Sequence, residues 1–366
     1  MKDLTRKKGR EPNPFALENY TYELPEKQIA QYPVERRCES RLMILDRAKD
    51  RPVNATFRQI PERLPSDSVV VVNTSTVFPA RLLGRRGDSR GRVEFLLLTP
   101  LPLIRAKKDP GRWSWSRVQG LLKPAKKVAA GQTIHFSDRL LFRVDEKDSF
   151  GRVSGRLIWT DELPSLLEEI GRIPLPPYIK RETEVRDRET YQTVYADSLQ
   201  AGSMAAATAG LHFDQELLDK MVAKGIEIVP VNLYVGYGTF SPVRSQDIRE
   251  HELHAEYVQI ADSAARKINE AKKRGRPVVA VGTTTVRSLE GVREKLGSVG
   301  AYAGWVDAYI YPGFRFEVVD HLITNFHLPR SSLLLMIAAF TGRERILKAY
   351  EWAVEEGYRF FSYGDA

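Results

Sequence analysis

The chain has 366 residues, of which 42% are hydrophobic and 28% are charged, and its formal net charge is +9. This length and composition are typical of a globular protein with a sizeable core and room for two domains. Its longest apolar runs are too short to cross a bilayer, and its single cysteine, Cys38, excludes an internal disulfide and a cysteine-rich metal site. The basic N-terminus has no apolar segment after it, so we expect no secretory signal and a cytoplasmic location.

The first 79 residues predict the beginning of an α/β fold. Residues 1–19 are polar, and we expect a mobile N-terminal extension there. Short helices are predicted over 26–31 and 57–64, and a strand over 41–46. The run Ser68-Val69-Val70-Val71-Val72-Asn73 is apolar on both faces, which predicts a central strand. Polar residues follow it, and open α/β sheets bind ligands at such strand ends.

The segment 80–160 differs in charge and in pattern from the rest of the chain. Counted from Pro79 to Thr160 it has 18 Lys or Arg against 7 Asp or Glu, whereas the remainder has 38 against 40. Glycines separate its short strand-like runs, which predicts a small antiparallel β-barrel or sandwich inserted into the larger fold. The charge predicts that this segment binds a polyanion. The strand-like runs span 93–98, 113–118, 133–136 and 140–144.

From residue 161 onward, predicted helices alternate with predicted strands. This order predicts an α/β domain with a mixed or parallel sheet and helices on both faces, built from 20–79 and 161–366. A proline-rich segment over 174–181 is predicted to be extended. The strands are predicted over 227–235, 254–260 and 278–281, and the helices over 161–170, 217–224, 261–274, 285–295, 332–340 and 344–356.

A stretch of small residues, 202–213, precedes one of these helices and ends in His212 and Phe213. Small residues let the backbone approach a ligand closely, and the free N–H groups of a helix start suit an anion or a polar group. A tight packing turn is the alternative interpretation.

A histidine and a glutamate two residues apart suggest acid–base chemistry. His254 and Glu256 are expected on one face of a strand, where a histidine and a carboxylate can act as a base and its orienting partner. Structural hydrogen bonding is an alternative. Metal binding by His251, His254 and Glu256 is a weaker one, because no third protein ligand is evident.

Polar residues also follow two buried strands near the C-terminal end of the sequence. Gly282, Thr283 and Thr284 stand between a strand and a helix, where free amides can bind a carboxylate or phosphate and where Arg287 adds a positive charge. Ordinary helix capping is the alternative. Asn325 and His327 are expected at the same edge of the sheet.

Eight motifs, in order from about residue 20 to the end, resemble those of the S-adenosylmethionine:tRNA ribosyltransferase-isomerase family of queuosine biosynthesis. They lie at 22–25, 79–82, 174–179, 191–196, 208–213, 279–284, 322–329 and 360–365.

The resemblance implies an α/β domain with an inserted barrel and a reaction on tRNA whose wobble base is 7-aminomethyl-7-deazaguanine. The ribosyl part of S-adenosylmethionine is transferred to the aminomethyl group and isomerised, which gives epoxyqueuosine and releases adenine and methionine. A base draws a proton from the ribose carbon beside the sulfonium, and the resulting ylide closes the epoxide on an aldehyde as methionine leaves. S-adenosylmethionine is thus a co-substrate, and we expect no metal, no further cofactor, no membrane partner and a monomeric enzyme.

With this resemblance, the candidate residues form three groups. The candidates for proton transfer are His212, His254, Glu256 and His327. The candidates for binding S-adenosylmethionine are Thr208, Gly210, Gly282, Thr283, Thr284, Arg287 and Asn325. The candidates for binding the anticodon region of tRNA are Arg81, Arg85, Arg86, Lys107, Lys108, Lys123, Lys126, Lys127, Lys180 and Arg181.

The chain departs from the family pattern at several positions. Ala206-Ala207 stands where the family has Ala-Pro, and Tyr234 and Tyr237 stand where His and Leu are more usual. The missing proline removes no reactive group. If the usual His takes part in catalysis, either Tyr234 substitutes for it or the role belongs to another residue. Two other functions remain open: an S-adenosylmethionine-dependent tRNA methyltransferase, and an RNA-binding module without catalysis.

Overall fold

The structure is a computed structural model that describes residues 13–49, 51–108, 111–148, 151–236, 238 and 243–366. Most of the expected N-terminal extension, residues 1–12, lies outside this part. Ala16 forms an antiparallel bridge with Asp247, and the Leu17 N–H donates to the Gln246 carbonyl at 2.8 Å. The expectation of mobility up to residue 19 therefore does not hold for these residues, because backbone hydrogen bonds attach them to the α/β domain.

The first part of the chain forms short elements around one central strand. The predicted helix over 26–31 is only a 3-10 turn at Glu26–Gln28, since Pro25 and Pro33 frame a segment too short for a stable helix. All five residues of β3 are buried, as expected for a central strand. The regular elements are β1 Arg41–Ile44, β2 Val53–Thr56, α1 Ile60–Arg63, β3 Val69–Asn73 and β4 Ser75–Val77.

The basic segment forms a closed antiparallel β-barrel. Its strands are β5 Arg81–Arg86, β6 Arg92–Leu97, β7 Lys107–Lys108, β8 Ser114–Lys123, β9 Thr133–Ser137, β10 Leu140–Lys147 and β11 Arg152–Trp159. In the described residues the order is β11-β10-β9-β5-β6-β8, and pairing of β8 with β11 closes the barrel. Phe95 and Phe142 fill the interior with ring centroids 4.4 Å apart. Gly120 faces them, and a Cβ there would lie 2.1 Å from the Phe95 ring.

The remaining chain completes the α/β domain. Its elements are α2 Leu163–Ile170, α3 Asp187–Thr190, β12 Asp197–Ser203, α4 Gln215–Ala223, β13 Glu227–Tyr234, β14 Glu256–Ile260, α5 Asp262–Lys273, β15 Val278–Val281, α6 Thr283–Leu296, β16 Tyr302–Val306, β17 His321–Ile323, α7 Ser332–Thr341 and α8 Arg343–Glu355. Across the described residues its main sheet has the order β16-β14-β13-β3-β15-β17. Strands β13, β3, β15 and β17 run parallel, and β14 and β16 run antiparallel to their neighbours. This mixed sheet with its helices and the closed barrel confirms the predicted fold class.

Two element boundaries differ from the prediction in ways that affect the site. Helix α6 begins at Thr283, so Thr283 and Thr284 belong to its first turn. Strand β14 begins at Glu256, so His254 precedes the strand and does not share a strand face with Glu256. Glu256 is buried, whereas His254 is exposed. In the part of the chain that is described, no helix combines the length and apolarity needed to span a membrane.

Candidate active site

A cavity of about 280 Å³ opens at the carboxyl ends of the parallel strands β15 and β17. We call it the sheet-end cavity. Its walls come from the small-residue loop 206–209, from 282–284, from 324–331 and from Phe361 and Ser362. Residues of the sequence motifs 208–213, 279–284, 322–329 and 360–365 therefore meet at one edge of the sheet, where parallel strands place ligands. Six predicted residues line it together: Thr208, Gly282, Thr283, Thr284, Asn325 and His327.

The start of helix α6 provides hydrogen-bond donors on one side of this cavity. Gly282, the N-cap residue of α6, has φ +90°, which residues with a side chain rarely adopt. As a glycine it has no side chain that could cap the first amides of the helix. The first-turn amides of Thr283 and Thr284 have no intrahelical acceptor. The Thr284 Oγ1 atom is buried and has no hydrogen-bond partner among the described residues. Amides, hydroxyl and helix dipole together can bind a carboxylate.

Asn325 is held by a buried hydrogen-bond chain. Its Nδ2 lies 3.2 Å from His212 Nε2 and 3.0 Å from the Phe361 carbonyl. His212 Nδ1 lies 2.7 Å from Ser40 Oγ, which in turn donates to the Arg37 carbonyl. Burial lowers the pKa of His212 to about 3, so this ring is neutral near pH 7. The Asn325 Oδ1 atom is buried without a partner in the described chain.

These contacts place His212 behind the cavity. Both of its ring nitrogens are engaged, and the ring packs 4.9 Å from that of Phe57. It does not line the sheet-end cavity. Its geometry is that of a positioning residue for Asn325, since it acts on any ligand only through that amide.

His327 does line the cavity and has a different environment. Its Nε2 lies 2.9 Å from Thr324 Oγ1, while Nδ1 has no hydrogen-bond partner in the described residues. The Tyr22 hydroxyl donates to its carbonyl, and its N–H donates to the Tyr350 hydroxyl at 3.1 Å. Burial lowers the pKa of His327 to about 3, so the ring is neutral near pH 7 and is a weaker base than an exposed histidine.

Two residues lining the cavity have a left-handed backbone without being glycine. Arg330 has φ +56° and Phe361 has φ +68°. Such conformations cost free energy and concentrate at binding sites. The Phe361 N–H donates to the Phe326 carbonyl at 3.2 Å, and its own carbonyl accepts from Asn325. The strained backbone thus belongs to the same hydrogen-bond chain as the cavity's amide.

A second cavity, of about 640 Å³, lies between the barrel and the α/β domain. We call it the interdomain cavity. The barrel contributes Leu98, Pro100, Gln119, Leu121, Asp148 and Arg152, and the α/β domain contributes Gly202, Met204, 234–236, Gly238, Arg244, 251–256 and Trp305. Val235 lines both cavities, so the two adjoin at that residue.

Glu256 and Arg287 form a buried ion pair beside the interdomain cavity. The Arg287 Nη1 lies 2.6 Å from Glu256 Oε2, and their side chains are only 3% and 2% exposed. Arg287 also donates to the carbonyls of Ala308 and His254, and Glu256 Oε1 accepts the Gly236 N–H at 3.0 Å. Arg287 is thereby directed away from the sheet-end cavity, which corrects its predicted place beside the α6 start. Through its hydrogen bond to the Gly236 N–H, the pair fixes the backbone that follows Val235, the residue at which the two cavities adjoin.

Three other predicted positions are placed as follows. His254 lines the interdomain cavity rather than the sheet-end cavity. Gly210 is not among the residues that line the sheet-end cavity, and a Cβ there would lie 2.0 Å from the Tyr195 hydroxyl, so close packing requires a glycine at this position. Tyr234 lines the interdomain cavity and bonds through its hydroxyl to Gln200 at 2.7 Å. Tyr237 lies outside the described residues.

No group of three metal-ligating side chains is present in the described ranges.

Some of the predicted tRNA-binding cations have side-chain partners within the protein, and others have none among the described residues. Arg181 is a correction, because Asp187 holds its guanidinium through two hydrogen bonds of 2.6 and 2.7 Å. Arg81 pairs with Glu94, and Lys180 pairs with Glu26. Arg86 donates to the Lys127 carbonyl, and Lys107 lies 5.0 Å from the Trp115 ring. The following are exposed, with no side-chain partner among the described residues: Arg85, Lys108, Lys123, Lys126 and Lys127.

Some residues of the site were not predicted individually. Phe361 and Ser362 lie within the motif over 360–365, but nothing in that motif indicates that its backbone turns into the cavity. Ser40 stands in no motif at all, because its contact with His212 joins residues 172 positions apart. The exposure of Trp305 follows from tertiary packing and has no signal in the sequence.

Comparison with known proteins identifies similar chains over nearly the whole length. The family model described as "Queuosine biosynthesis protein" matches residues 17–366. The chain is 51% identical over 360 residues to the S-adenosylmethionine:tRNA ribosyltransferase-isomerase of Nitratidesulfovibrio vulgaris strain Hildenborough, with 96% of each chain covered. It is 45% identical over 351 residues to that of Desulfitobacterium hafniense, covering 96% of this chain and 98% of the relative. The crystal structure of S-adenosylmethionine tRNA ribosyltransferase from Thermotoga maritima has 34% identity and a TM-score of 0.52, covering 95% of this chain and 98% of that one.

Proposed function

Because the chain belongs to the S-adenosylmethionine:tRNA ribosyltransferase-isomerase family of queuosine biosynthesis, we propose that S-adenosylmethionine binds in the sheet-end cavity and that tRNA reaches it through the interdomain cavity. The enzyme transfers the ribosyl moiety of S-adenosylmethionine to the 7-aminomethyl-7-deazaguanine of tRNA and isomerises it to epoxyqueuosine. Adenine and methionine are the other products. S-adenosylmethionine supplies the transferred group, and the proposal includes no further cofactor.

The observation that carries this assignment is a pair of buried oxygens without partners. Thr284 and Asn325 both line the sheet-end cavity, and neither Thr284 Oγ1 nor Asn325 Oδ1 has a hydrogen-bond partner among the described residues. A buried polar atom left unsatisfied costs free energy that a ligand can recover. In the proposal the methionyl carboxylate binds at the α6 start, and Asn325 accepts a hydrogen bond from an amino or hydroxyl group of the same ligand.

His327 is the side chain that we assign to proton transfer. The reaction needs a base for the proton on the ribose carbon beside the sulfonium and exclusion of water from the ylide. Of the four predicted acid–base residues, His327 alone lines the sheet-end cavity. His212 has both nitrogens engaged, His254 lies in the other cavity, and Glu256 is paired with Arg287. Geometry therefore favours His327.

The substrate tRNA is proposed to bind with its anticodon region between the two domains. The barrel side of the interdomain cavity belongs to the segment with the excess positive charge, and the opposite side leads to Val235. The target base can then approach the sheet-end cavity while the backbone stays on the barrel. We propose that a monomer suffices, since both cavities are lined by one chain, and that the enzyme works in the cytoplasm with its tRNA.

Product analysis tests the proposed function. With S-adenosylmethionine and tRNA carrying the aminomethyl base, we expect adenine and methionine in equal amounts, and neither product with tRNA that lacks this base. Liquid chromatography with mass detection measures both. A methyltransferase, which the comparisons do not favour, would release S-adenosylhomocysteine instead, and an RNA-binding module would release nothing.

The exposed barrel lysines give a prediction on tRNA affinity. Replacing Lys123, Lys126 and Lys127 together by alanine should weaken tRNA binding and lower the slope of log Kd against log salt by roughly two to three, because each phosphate contact releases about one counterion. The Lys123 side chain lines a separate barrel cavity together with Arg85 and Arg92, at the end of the strand whose Leu122 N–H donates to the Gly151 carbonyl. Titrations of tRNA at several salt concentrations measure the slope.

A matched control removes the same number of lysines from the α/β domain. Lys27, Lys273 and Lys348 are exposed and lie outside both cavities. Their triple alanine variant should leave the slope nearly unchanged, and both triple variants should keep the affinity for S-adenosylmethionine. Equal slopes for the barrel variant and the wild type would mean that these lysines face away from the RNA.

A further inference from the structure

Trp305 is an exposed aromatic side chain at the rim of the interdomain cavity. Its side chain is 51% exposed, although tryptophan is usually mostly buried. It lies on β16, the edge strand of the main sheet, opposite Tyr257 of β14. The function assigned so far gives it no role.

An aromatic ladder holds this ring in place. The rings of Trp305 and Tyr257 meet edge to face with centroids 5.5 Å apart, and Tyr257 lies 6.3 Å from the ring of Tyr234 in a stacked arrangement. Tyr234 is buried and lines the cavity. Trp305 is thus supported from the inside while a large part of its surface remains open. A rigid aromatic surface of this kind binds with a small loss of side-chain entropy.

Two arginines line the cavity around Trp305, together with the carboxylates Asp148 and Glu252. Across the cavity, on the barrel, Arg152 is exposed, and its guanidinium makes no hydrogen bond or ion pair with the described residues. Arg244 lines the same cavity. Proteins recognise single-stranded RNA loops by stacking unpaired bases on aromatic side chains and by placing cations on the phosphates.

We propose that Trp305 stacks against a nucleobase of the anticodon loop next to the target base, with Arg152 at a neighbouring phosphate. This rests on the proposed function and specifies how its tRNA is held. The flanking base is favoured over the target base because Trp305 lies at the open rim, whereas the target must pass Val235 to reach the sheet-end cavity. The cavity volume of about 640 Å³ is within the range of sites that bind small molecules of nucleotide size.

The test compares Trp305→Ala and Trp305→Phe in the full-length enzyme. Trp305→Ala should raise the Kd for tRNA carrying the aminomethyl base by roughly 10- to 100-fold, since it removes one stacked base. Trp305→Phe should recover most of the affinity, because it keeps a ring. The KM for S-adenosylmethionine and the kcat at saturating tRNA should stay close to those of the wild type.

Leu296→Ala is the matched control. Leu296 is also 51% exposed. It is the last residue of helix α6 and lies outside both cavities. This variant should bind tRNA like the wild type. An unchanged Kd in Trp305→Ala overturns the proposal. A changed molecular mass in light scattering, together with an unchanged Kd, would overturn it too and would assign Trp305 to a contact between copies of this chain. Because tRNA titration needs no turnover, these outcomes are separate from a failure of the product analysis.

Discussion

Replacing His327 by alanine should lower kcat by roughly 10²- to 10⁴-fold, the range expected when a proton-transfer group is lost. The ring faces the sheet-end cavity, is neutral near pH 7, and has Nδ1 free of partners in the described residues. The KM for tRNA should change little, because the proposed tRNA contacts lie in the interdomain cavity. Steady-state kinetics with both substrates separates the two parameters.

Two variants make this result interpretable. His321→Ala removes an exposed histidine from the opposite end of β17 and should keep near-normal kcat. His327→Gln retains a hydrogen-bonding group of similar length but cannot act as a base, so it should be as slow as His327→Ala while unfolding at a temperature closer to that of the wild type. If His327→Ala turns over normally, the base is elsewhere, and His254 becomes the next residue to test.

Replacing Glu256 by glutamine should lower the free energy of unfolding by about 3–5 kcal/mol, because Arg287 would be left as an uncompensated buried charge. The two side chains are almost fully buried and their charged atoms are 2.6 Å apart. Chemical denaturation followed by circular dichroism measures the change. The double variant Glu256→Gln with Arg287→Met removes both charges and should recover a large part of the loss.

An exposed ion pair is the control for this substitution. Glu216 and Lys220 are 2.7 Å apart, and their side chains are 78% and 59% exposed. Glu216→Gln should therefore change the stability by less than about 1 kcal/mol. A Glu256→Gln variant with normal stability but kcat reduced 100-fold would contradict the structural role. It would show instead that Glu256 takes part in the reaction, as its place in the sequence first suggested.

The sequence predicts which segments of this chain carry function better than it predicts which side chains act. Residues after buried strands, such as Gly282, Thr283 and Asn325, could be placed at one sheet edge, because parallel strands end on the same side. The charge contrast located the barrel. Three barrel strands, β5, β7 and β11, are not predicted: β7 has only two residues, and β5 and β11 contain arginines and an internal glycine, Gly84 and Gly155. A Cβ on Gly155 would lie 2.1 Å from the Arg143 carbonyl, a requirement seen only after the strands pair.

The roles of individual charged residues depended on partners that no local pattern specifies. Arg287 follows the threonines of α6 in the sequence, yet a helical turn directs its guanidinium to Glu256. Arg181 is adjacent to an exposed lysine, yet it is held by Asp187. His212 stands in the most specific motif of the chain but lies behind the cavity. In each case the deciding contact is a side-chain pairing made by the fold.

The hydrogen bonds around the sheet-end cavity also bear on the order in which the site can form during synthesis. Tyr22 contacts His327 across 305 positions, Ser40 contacts His212 across 172, and Asn325 contacts Phe361. Contacts of such long range form late, because the intervening chain must be ordered first. A ribosome extends the chain from the N-terminus, so the barrel can fold while residue 361 is still unmade. On the proposed assignment of the two sites, a nascent chain therefore completes the surface proposed for tRNA before it completes the cavity proposed for S-adenosylmethionine.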